Sequence, residues 1–481
     1  MSVYDKYQIV IGLEVHAQLS TASKMYTTDS AAFGAMPNTN ISPLTLGHPG
    51  TLPYVNKEAI NSAIKMGLAT DCTITEYNGF ARKNYFYADL PKGYQITQDT
   101  TPICTKGHID IEVDGEEKRI GITRIHLEED AGKSTHDVDP YNSLIDLNRA
   151  GVPLIEIVSE PDLRSPEEAY AYLTEVRKLL RYLEICDGNM EEGSMRCDAN
   201  ISVNLIGTDK FGERCEVKNM NSMRNVMRAI EFEAKRQIDL IENGGTIEQE
   251  TRSFNAADGS TFTLRSKENA HDYRYFPEPD LPPFVVSIEK IEAIQAAMPK
   301  LSKELYKEFT QDLGLSAYDA TIIAEDKYFA QYFVEIVNEG AQAKAAANWM
   351  IGPVKSYLND QAIEIDEFPL RPNQINEIIK LIEDGKLNFA SASQKLYPAL
   401  LEQKDTDILE LAESLNIIQN SDTGEIERLV DEVLAENPDK VEAYKNGKTG
   451  LMGMFMGQVM RKSGGKADPK IATNILSKKL S

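Results

Sequence analysis

The proline-rich segment Tyr275–Phe284 constrains the fold of this 481-residue chain more than any other feature. Its four prolines fix φ and lack an amide hydrogen, so neither a helix nor a central strand continues through it. Before this segment, apolar and polar residues alternate between glycines, as in strands, whereas the pattern after it is helical. We therefore predict a domain boundary after residue 285.

Alternation of apolar and polar residues predicts antiparallel strands in the first part of the chain. Tyr7–Leu19 alternates throughout, and Asp114-Gly115 separates two apolar runs in the manner of a hairpin turn. Arg196–Leu205 and Arg214–Lys218 alternate in the same way. They are predicted to form a hairpin, which would place their polar faces side by side.

Helix signals occur both within and after this sheet region. Ser165 precedes Pro166, as at a helix start, and a second helix is predicted from Asn221 or Ser222 to about Asn243. A further boundary is predicted near residue 405. The predicted fold is α+β: a mainly antiparallel-sheet domain over residues 1–285, an all-α domain over 286–405 and a small, basic all-α tail over 406–481.

Composition restricts the location and the partners. No apolar run approaches the ~20 residues that span a bilayer, and Met1–Gln8 lacks signal-peptide features, so we expect a cytoplasmic protein without membrane contact. The five cysteines show no C-x-x-C spacing and are expected to be reduced thiols. The net charge of -24 argues against extended nucleic-acid binding. However, Lys440–Ser481 carries nine lysines or arginines against two carboxylates, a pattern that a solvated helix surface explains about as well as RNA.

Two familiar catalytic motifs are missing from the sequence. The Gly-Lys-Ser/Thr triplets at Gly132 and Gly447 lack the upstream glycine of a P-loop, because Leu127 and Glu442 stand there. No G-x-S-x-G nucleophile motif occurs either. The sequence therefore indicates neither a Walker-type nucleotide site nor a glutamine-hydrolysing nucleophile.

Charged side chains nevertheless share the polar faces of predicted strands. Glu14 and His16 lie on one such face, and His126 is followed by the carboxylates Glu128, Glu129 and Asp130. Taken singly, each feature is more often a solvated surface than a metal site, by roughly four to one.

Nine segments, in order along the chain, resemble the signatures of the B subunits of bacterial aspartyl/glutamyl-tRNA amidotransferases. They are Ile11–His16, Arg82–Tyr87, Pro91–Ile96, His126–Lys133, Asp146–Arg149, Glu156–Asp162, Met190–Asn200, Glu216–Ser222 and Asp272–Pro277. The likeness extends from residue 9 to the C-terminus, so coincidence does not explain it.

The resemblance implies a kinase-like cradle domain, a helical domain and a helical tail. It implies a heterotrimeric ligase of protein biosynthesis that uses ATP and Mg²⁺ to phosphorylate the side-chain carboxylate of Glu-tRNA(Gln) or Asp-tRNA(Asn). Ammonia from glutamine, supplied by an amidase-type A subunit, then forms the amide, and a small C subunit holds the other two together. Which of the two tRNAs is the physiological substrate stays open.

The resemblance also suggests site residues. Its catalytic and metal-binding positions correspond to Glu14, His16, Glu129 and Glu216, which we expect around one divalent cation. Strand parity instead groups Glu128 with His126, so both glutamates remain metal candidates, with Glu129 preferred. Because imidazole is an unusual ligand for Mg²⁺, His16 could instead hydrogen-bond a ligand. Candidates for contacts to ATP or the acceptor end are Lys83, Tyr85, Lys92 and Arg196, and candidates for tRNA contacts in the tail are Lys448, Arg461, Lys462 and Lys466.

One departure from the family concerns zinc. Many members carry cysteines where this chain has Thr27, Asp29, Ser42 and Thr45, so no zinc is expected here. Two other functions are considered. The complete carboxylate and imidazole set argues against a non-catalytic tRNA-binding subunit, and the basic tail and the missing nucleophile argue against a free-standing ATP-dependent ligase or kinase for a small acid.

Overall fold

The computed structural model describes residues 2–136, 138–208, 210–266, 273–419 and 423–480. Asp272, the first residue of the last family segment, lies outside these ranges. The chain divides into two compact units, Met1–Ser302 and Lys303–Ser481. All the described strands belong to the first unit, and the second is helical, so the predicted α+β class is confirmed.

The strands of the first unit follow one another closely along the chain. They are β1 (Tyr7–Gln18), β2 (Thr73–Ile74), β3 (Tyr77–Asn78), β4 (Ala81–Asn84), β5 (Tyr94–Thr97), β6 (Cys104–Val113), β7 (Glu116–Glu129), β8 (Lys133–Thr135), β9 (Leu144–Asp146), β10 (Pro153–Ser159), β11 (Met195–Leu205), β12 (Cys215–Met220), β13 (Glu250–Asn255), β14 (Ser260–Ser266), β15 (Phe276–Pro277) and β16 (Phe284–Val285).

Helices interrupt the strands and make up the second unit. They are α1 (Lys57–Ala69), α2 (Pro166–Tyr182), α3 (Met223–Glu242), α4 (Ile288–Ala297), α5 (Ser302–Gln311), α6 (Ala317–Ile323), α7 (Lys327–Asn338), α8 (Ala343–Trp349), α9 (Lys355–Gln361), α10 (Pro372–Glu383), α11 (Phe389–Ser391), α12 (Tyr397–Glu402), α13 (Ile408–Ser414), α14 (Thr423–Ala435), α15 (Pro438–Lys445), α16 (Met452–Lys462) and α17 (Pro469–Leu480).

A twelve-stranded sheet dominates the first unit, with the strand order β14-β13-β12-β11-β1-β10-β7-β5-β4-β15. Strand β6 also pairs with β7, and β2 pairs with β6. The neighbouring strands run antiparallel except β12 and β13, which are parallel. The predicted hairpins lie in this sheet. Asp114 and Gly115 turn β6 into β7 with φ angles of 54° and 82°, and β11 pairs with β12.

Alternation along β1 gives the sheet one apolar face and one polar face. Ile11, Leu13 and Val15 are fully buried, and they belong to the same hydrophobic core as residues of α1, α2 and α3. The predicted helix starts are present as well: the Ser165 hydroxyl accepts from the α2 backbone, and the Ser222 hydroxyl caps α3. The polar side chains of β1 lie on the other face.

Packing after the proline-rich segment differs from the sequence expectation. Helix α4 contacts α1, so the first unit ends at Ser302 rather than at residue 285. The second unit holds two separate hydrophobic clusters, one from Phe309 to Ile417 and one from Ile426 to Leu480. The three-part division at residues 285 and 405 therefore stays a prediction.

Two predictions from composition can be compared with the described residues. The five cysteines are free thiols, as the sequence predicts. In the described part of the chain, no helix is both long enough and apolar enough to cross a membrane.

Candidate functional site

A row of charged side chains crosses five neighbouring strands on the polar face of the sheet. Its members are Glu216 on β12, Asp198 on β11, Glu14 and His16 on β1, Glu156 on β10, and Glu128 on β7. The strand register creates the row, because Glu14 pairs with Asp198 while His16 pairs with Glu156. Paired residues in a sheet project to the same face.

The first part of the row is a group of three carboxylates. Oxygen atoms of Glu14, Asp198 and Glu216 all lie within 4.8 Å of one another. Neighbouring strands orient two of them: Asn200 donates to Glu14 over 2.8 Å, and the Thr251 hydroxyl donates to Glu216 over 2.8 Å. The group is therefore fixed in position by its neighbours.

Lys218 supplies a positive charge to this group. Its ammonium lies 2.8 Å from Glu216 and also contacts Asp198. Although burial opposes its charge, Asp198 and Glu216 raise the pKa of Lys218. Burial, Glu156 and Glu216 raise the pKa of Glu14 above its usual range. A divalent cation would relieve repulsion among these carboxylates that Lys218 offsets only in part.

The second part of the row combines imidazoles with carboxylates. The Nε2 atom of His16 lies 3.3 Å from Glu156 and 3.7 Å from Glu128, and the Nε2 atom of His126 lies 3.3 Å and 3.8 Å from the same two residues. Burial alone would lower the pKa of His16, but Glu156 and Glu128 raise it to about 9. The two imidazoles in turn hold the pKa of Glu156 well below its usual range, against the effect of burial.

The donor atoms of the two groups fit different preferences among metal ions. Glu14, Asp198 and Glu216 offer only carboxylate oxygens, which suit hard ions such as Mg²⁺ and Mn²⁺. His16, Glu128 and Glu156 offer two carboxylates and an imidazole, which suit Mn²⁺ better than Mg²⁺. Both groups are compact enough to hold one ion each.

Glu129, the preferred metal candidate, lies outside both groups. It has the opposite strand parity to Glu128, its carboxylate forms an ion pair with Lys92, and it accepts from the Ile96 amide over 2.9 Å. The structure therefore puts Glu128, and not Glu129, beside His16. Strand parity predicts this position of Glu128, whereas the family resemblance favours Glu129.

The residues expected around a single cation, Glu14, His16 and Glu216, do not all fall in one group, and the single site stays a prediction. Glu14 and Glu216 lie in one group and His16 in the other. Glu156 and Asp198 complete the groups, and neither was predicted from the sequence to be a ligand. The alternation in the sequence indicates the strand face on which each of these two residues lies. It does not indicate the register that pairs strands more than a hundred residues apart in the chain.

The candidates for ATP or acceptor-end contacts lie in different environments. The guanidinium of Arg196 donates two hydrogen bonds of 3.0 Å to the carboxylate of Asp130. Lys83 lies 4.9 Å from the ring centre of Tyr273 and 5.7 Å from that of Tyr85. Within the described ranges, Lys83 has no carboxylate within 4 Å.

A cavity of about 430 Å³ opens beside Glu14, in the middle of the row. Its lining includes Gly12, Glu14, Thr123, Asn200 and Ser202. Sites of this size hold small molecules in other proteins. The carboxylates of the first group therefore border a space that can admit a ligand.

The candidate tRNA-binding residues of the tail also differ in their contacts. Lys462 lies 2.6 Å from Glu436, and Lys466 donates to Asn416 over 2.6 Å. Lys448 and Arg461 are exposed, with no ion pair in the described part of the chain. The last two are therefore the cations best placed for an external partner.

At the four positions where the family resemblance led us to expect no zinc, hydroxyl groups and one carboxylate form a cluster. The Asp29 carboxylate accepts from the backbone and hydroxyl of Ser42, over 3.0 and 2.8 Å, and from the hydroxyl of Thr45. Its amide donates to the Thr27 hydroxyl over 3.1 Å. Despite partial burial, the hydrogen bonds from Thr45, Ser42 and Thr27 lower the pKa of Asp29. A hydrogen-bonded cluster thus links the two parts of this loop.

Comparison with known proteins shows the family of this chain. The model of the GatB/GatE catalytic domain matches residues 9–292, and that of the GatB domain matches residues 331–480. The chain is 49% identical to the B subunit of the aspartyl/glutamyl-tRNA(Asn/Gln) amidotransferase of Syntrophotalea carbinolica, with 99% of each chain covered. It is 50% identical to the protein of the same name from Geobacter sulfurreducens, over 98% of this chain and 99% of that protein. This chain therefore belongs to the family of aspartyl/glutamyl-tRNA(Asn/Gln) amidotransferase B subunits.

Proposed function

We propose that this chain is the ATP-using B subunit of a heterotrimeric tRNA-dependent amidotransferase. It acts with an amidase-type A subunit and a small C subunit in the cytoplasm. The substrates are ATP and Glu-tRNA(Gln), Asp-tRNA(Asn) or both, and glutamine is the amide donor. The observation that carries this proposal is the row of carboxylates and imidazoles across five strands.

The chemistry explains why such a row is needed. An oxygen of the substrate side-chain carboxylate attacks the γ-phosphorus of ATP, and ADP leaves. The nitrogen of ammonia then attacks the carbonyl carbon of the acyl phosphate, phosphate leaves with the bonding electrons, and the nitrogen loses a proton. Divalent cations neutralise the phosphate charge in the first step. Glu14, Asp198 and Glu216 would hold one cation, and His16, Glu128 and Glu156 a second.

The test uses the complex reconstituted from its three proteins. Ammonium, ATP and each mischarged tRNA are supplied in turn, and the amide and ADP are measured together. We expect amide and ADP in equal amounts with at least one of the tRNAs. Amide formed on free glutamate or aspartate would instead support a small-acid ligase, and tRNA binding without ADP formation would support a non-catalytic role.

We predict that Glu128, and not Glu129, contributes to cation binding. Glu128→Gln should lower the affinity for Mn²⁺ at least about tenfold at one of two sites, since loss of a ligand costs at least as much as loss of a group that orients one. Glu129→Gln, which alters the partner of Lys92, should change that affinity by less than about twofold. Calorimetric titration of both variants with Mn²⁺ measures this, and the reverse order of effects would restore Glu129 as the ligand.

We predict that the tail binds tRNA through Lys448 and Arg461. Replacing both with alanine should raise the KM for tRNA and reduce the slope of log affinity against log salt by roughly 1.4 to 1.8, which is two phosphate contacts. Turnover at saturating tRNA should survive. Lys479→Ala is the matched control, because Glu427 and Asp431 engage that ammonium at 2.8 and 2.6 Å.

An unchanged salt slope in the double variant would make the tail a structural brace. Deleting the tail is a poorer test, because Phe455, Val459 and Leu476 share a core with Val430 of α14. The open surface of α16 agrees with an external partner: apart from the neighbouring residues and backbone of its own helix, no described atom lies within 4 Å of a methyl group built on Gly453. Close packing against another helix of this chain therefore does not account for that glycine.

A further inference from the structure

Four tyrosine rings form a continuous row beside strands β4 and β15. The ring centres of Tyr87 and Tyr85 are 5.8 Å apart, those of Tyr85 and Tyr273 are 6.0 Å apart, and those of Tyr273 and Tyr275 are 6.0 Å apart. Each pair meets edge to face, at 70 to 71°. The inner two rings are half-buried, whereas the outer two, Tyr87 and Tyr275, are 59% and 42% exposed.

The backbone around the tyrosine row is held by specific contacts. Asn84 donates its amide to the Tyr273 carbonyl over 2.9 Å and its side-chain nitrogen to the Arg274 carbonyl over 3.0 Å. Two residues earlier, Arg82 forms paired hydrogen bonds of 2.7 and 2.8 Å with the buried carboxylate of Glu278. These contacts join β4 to β15, so the rings are preorganised before any ligand arrives.

Lys83 connects the tyrosine row to the carboxylates. Its ammonium lies over the rings of Tyr273 and Tyr85 and, within the described ranges, has no ion pair. Burial opposes its charge, but the fields of Glu128, Tyr275, Tyr273 and Glu156 together raise its pKa. The ammonium therefore stays charged between an aromatic surface and the second carboxylate group.

An aromatic surface beside an unpaired, half-buried cation is the arrangement that binds a nucleotide. Exposed rings stack on the face of a base, and the ammonium attracts phosphate. The tyrosine row lies on the Glu128 side of the charged row, because β4 pairs with β5 and β5 pairs with β7 at Glu128, whereas the cavity of about 430 Å³ lies beside Glu14 in the middle of the row. Two separate spaces thus border the charged row, and the proposed reaction has two large substrates.

We propose that the tyrosine row is an adenine-binding surface, on which the base stacks against Tyr275 while Lys83 contacts the sugar-phosphate part of the same nucleotide. This inference rests on the proposed function. Two substrates carry adenine, ATP and the 3′-terminal adenosine of the mischarged tRNA, and the chemistry of the surface suits both. The other substrate would then use the cavity beside Glu14.

The test is Tyr275→Leu in the reconstituted complex, with the KM for ATP and the KM for mischarged tRNA measured separately in ammonium-dependent amidation. Loss of one stacked base is expected to raise one KM by about 5-fold to about 150-fold. Tyr275→Phe keeps the ring and should restore the KM. The control Tyr318→Leu removes another tyrosine, 71% exposed, from the second unit.

The outcomes separate the two sources of adenine. A rise confined to the KM for ATP assigns the surface to ATP, and a rise confined to the KM for tRNA assigns it to the terminal adenosine. Unchanged values in both cases overturn the proposal, as does a loss that Tyr275→Phe shares. If the wild-type complex makes no amide, the proposed function fails instead, and binding of an adenine nucleotide with a fluorescent base still reports on stacking at Tyr275.

Discussion

Glu216→Gln is expected to abolish ATP-dependent amidation in the reconstituted complex while glutamine hydrolysis by the amidase partner continues. The substitution keeps the shape of the side chain and removes its charge. The remaining carboxylates, Glu14 and Asp198, would then share the first site with the ammonium of Lys218, which contacts both Glu216 and Asp198. Removing one electrostatic contact to the transition state costs about 10²-fold to 10³-fold in turnover. A lost cation should cost at least that much.

The matched control is Glu231→Gln, because Glu231 is an exposed residue of α3. Amide formation and glutamine hydrolysis are measured on the same preparation. A comparable fall in both activities would mean that Glu216 holds the complex together. Amidation at the wild-type rate would remove the first carboxylate group from the proposed mechanism.

Strand parity predicts part of the observed grouping of charged side chains. Alternation along β1 puts Glu14 and His16 on the polar face, and alternation along β7 puts Glu128, not Glu129, on the face that carries His126. A period of two residues is a local property, so it can be read from one segment. The preference for Glu129 came from resemblance, and in the structure Glu129 pairs with Lys92 and lies outside both groups.

The remainder of the site depends on pairing between distant segments. His16 is opposite Glu156 and Glu14 is opposite Asp198 because β1 is central, between β10 and β11. Nothing local in the sequence specifies which strands become neighbours, since tertiary packing decides strand order. The tyrosine row has the same origin, because Tyr273 reaches Tyr85 only through the pairing of β15 with β4.

The first boundary shows a similar limit. The prolines correctly mark the end of the strand pattern, but a local signal cannot report that α4 packs back against α1. Helical periodicity after residue 286 therefore predicts helices, but it does not predict to which compact unit each helix belongs. The two compact units divide after Ser302, and the boundary predicted after residue 285 stays a prediction.

A buried ion-pair network lies behind the first carboxylate group, and it was not predicted from the sequence. Glu233 of α3 is fully buried and accepts from Arg236 over 2.6 Å, from Gln237 over 2.9 Å and from Thr261 over 2.9 Å. Arg252 of β13 lies 3.3 Å from the same carboxylate. Strand β13 runs beside β12, so the network fixes the strand whose neighbour carries Glu216.

Glu233→Ala is therefore expected to lower the free energy of unfolding by about 1–3 kcal/mol, because Arg236 and Arg252 each lose one of two carboxylate partners and keep only Glu250. Burial alone would raise the pKa of Glu233, but hydrogen bonds from Arg236 and Gln237 lower it below its usual value. The stabilisation is consequently complete above the unfolded-state pKa of about 4.5 and is lost as the pH falls through the folded value.

Denaturant unfolding at pH 7 and at pH 4 measures both effects, with Glu231→Ala as an exposed control that should change stability by less than about 0.5 kcal/mol. Equal stability of Glu233→Ala and the wild type at pH 7 would show that the arginines find water or other acceptors, and that the network does not support β13.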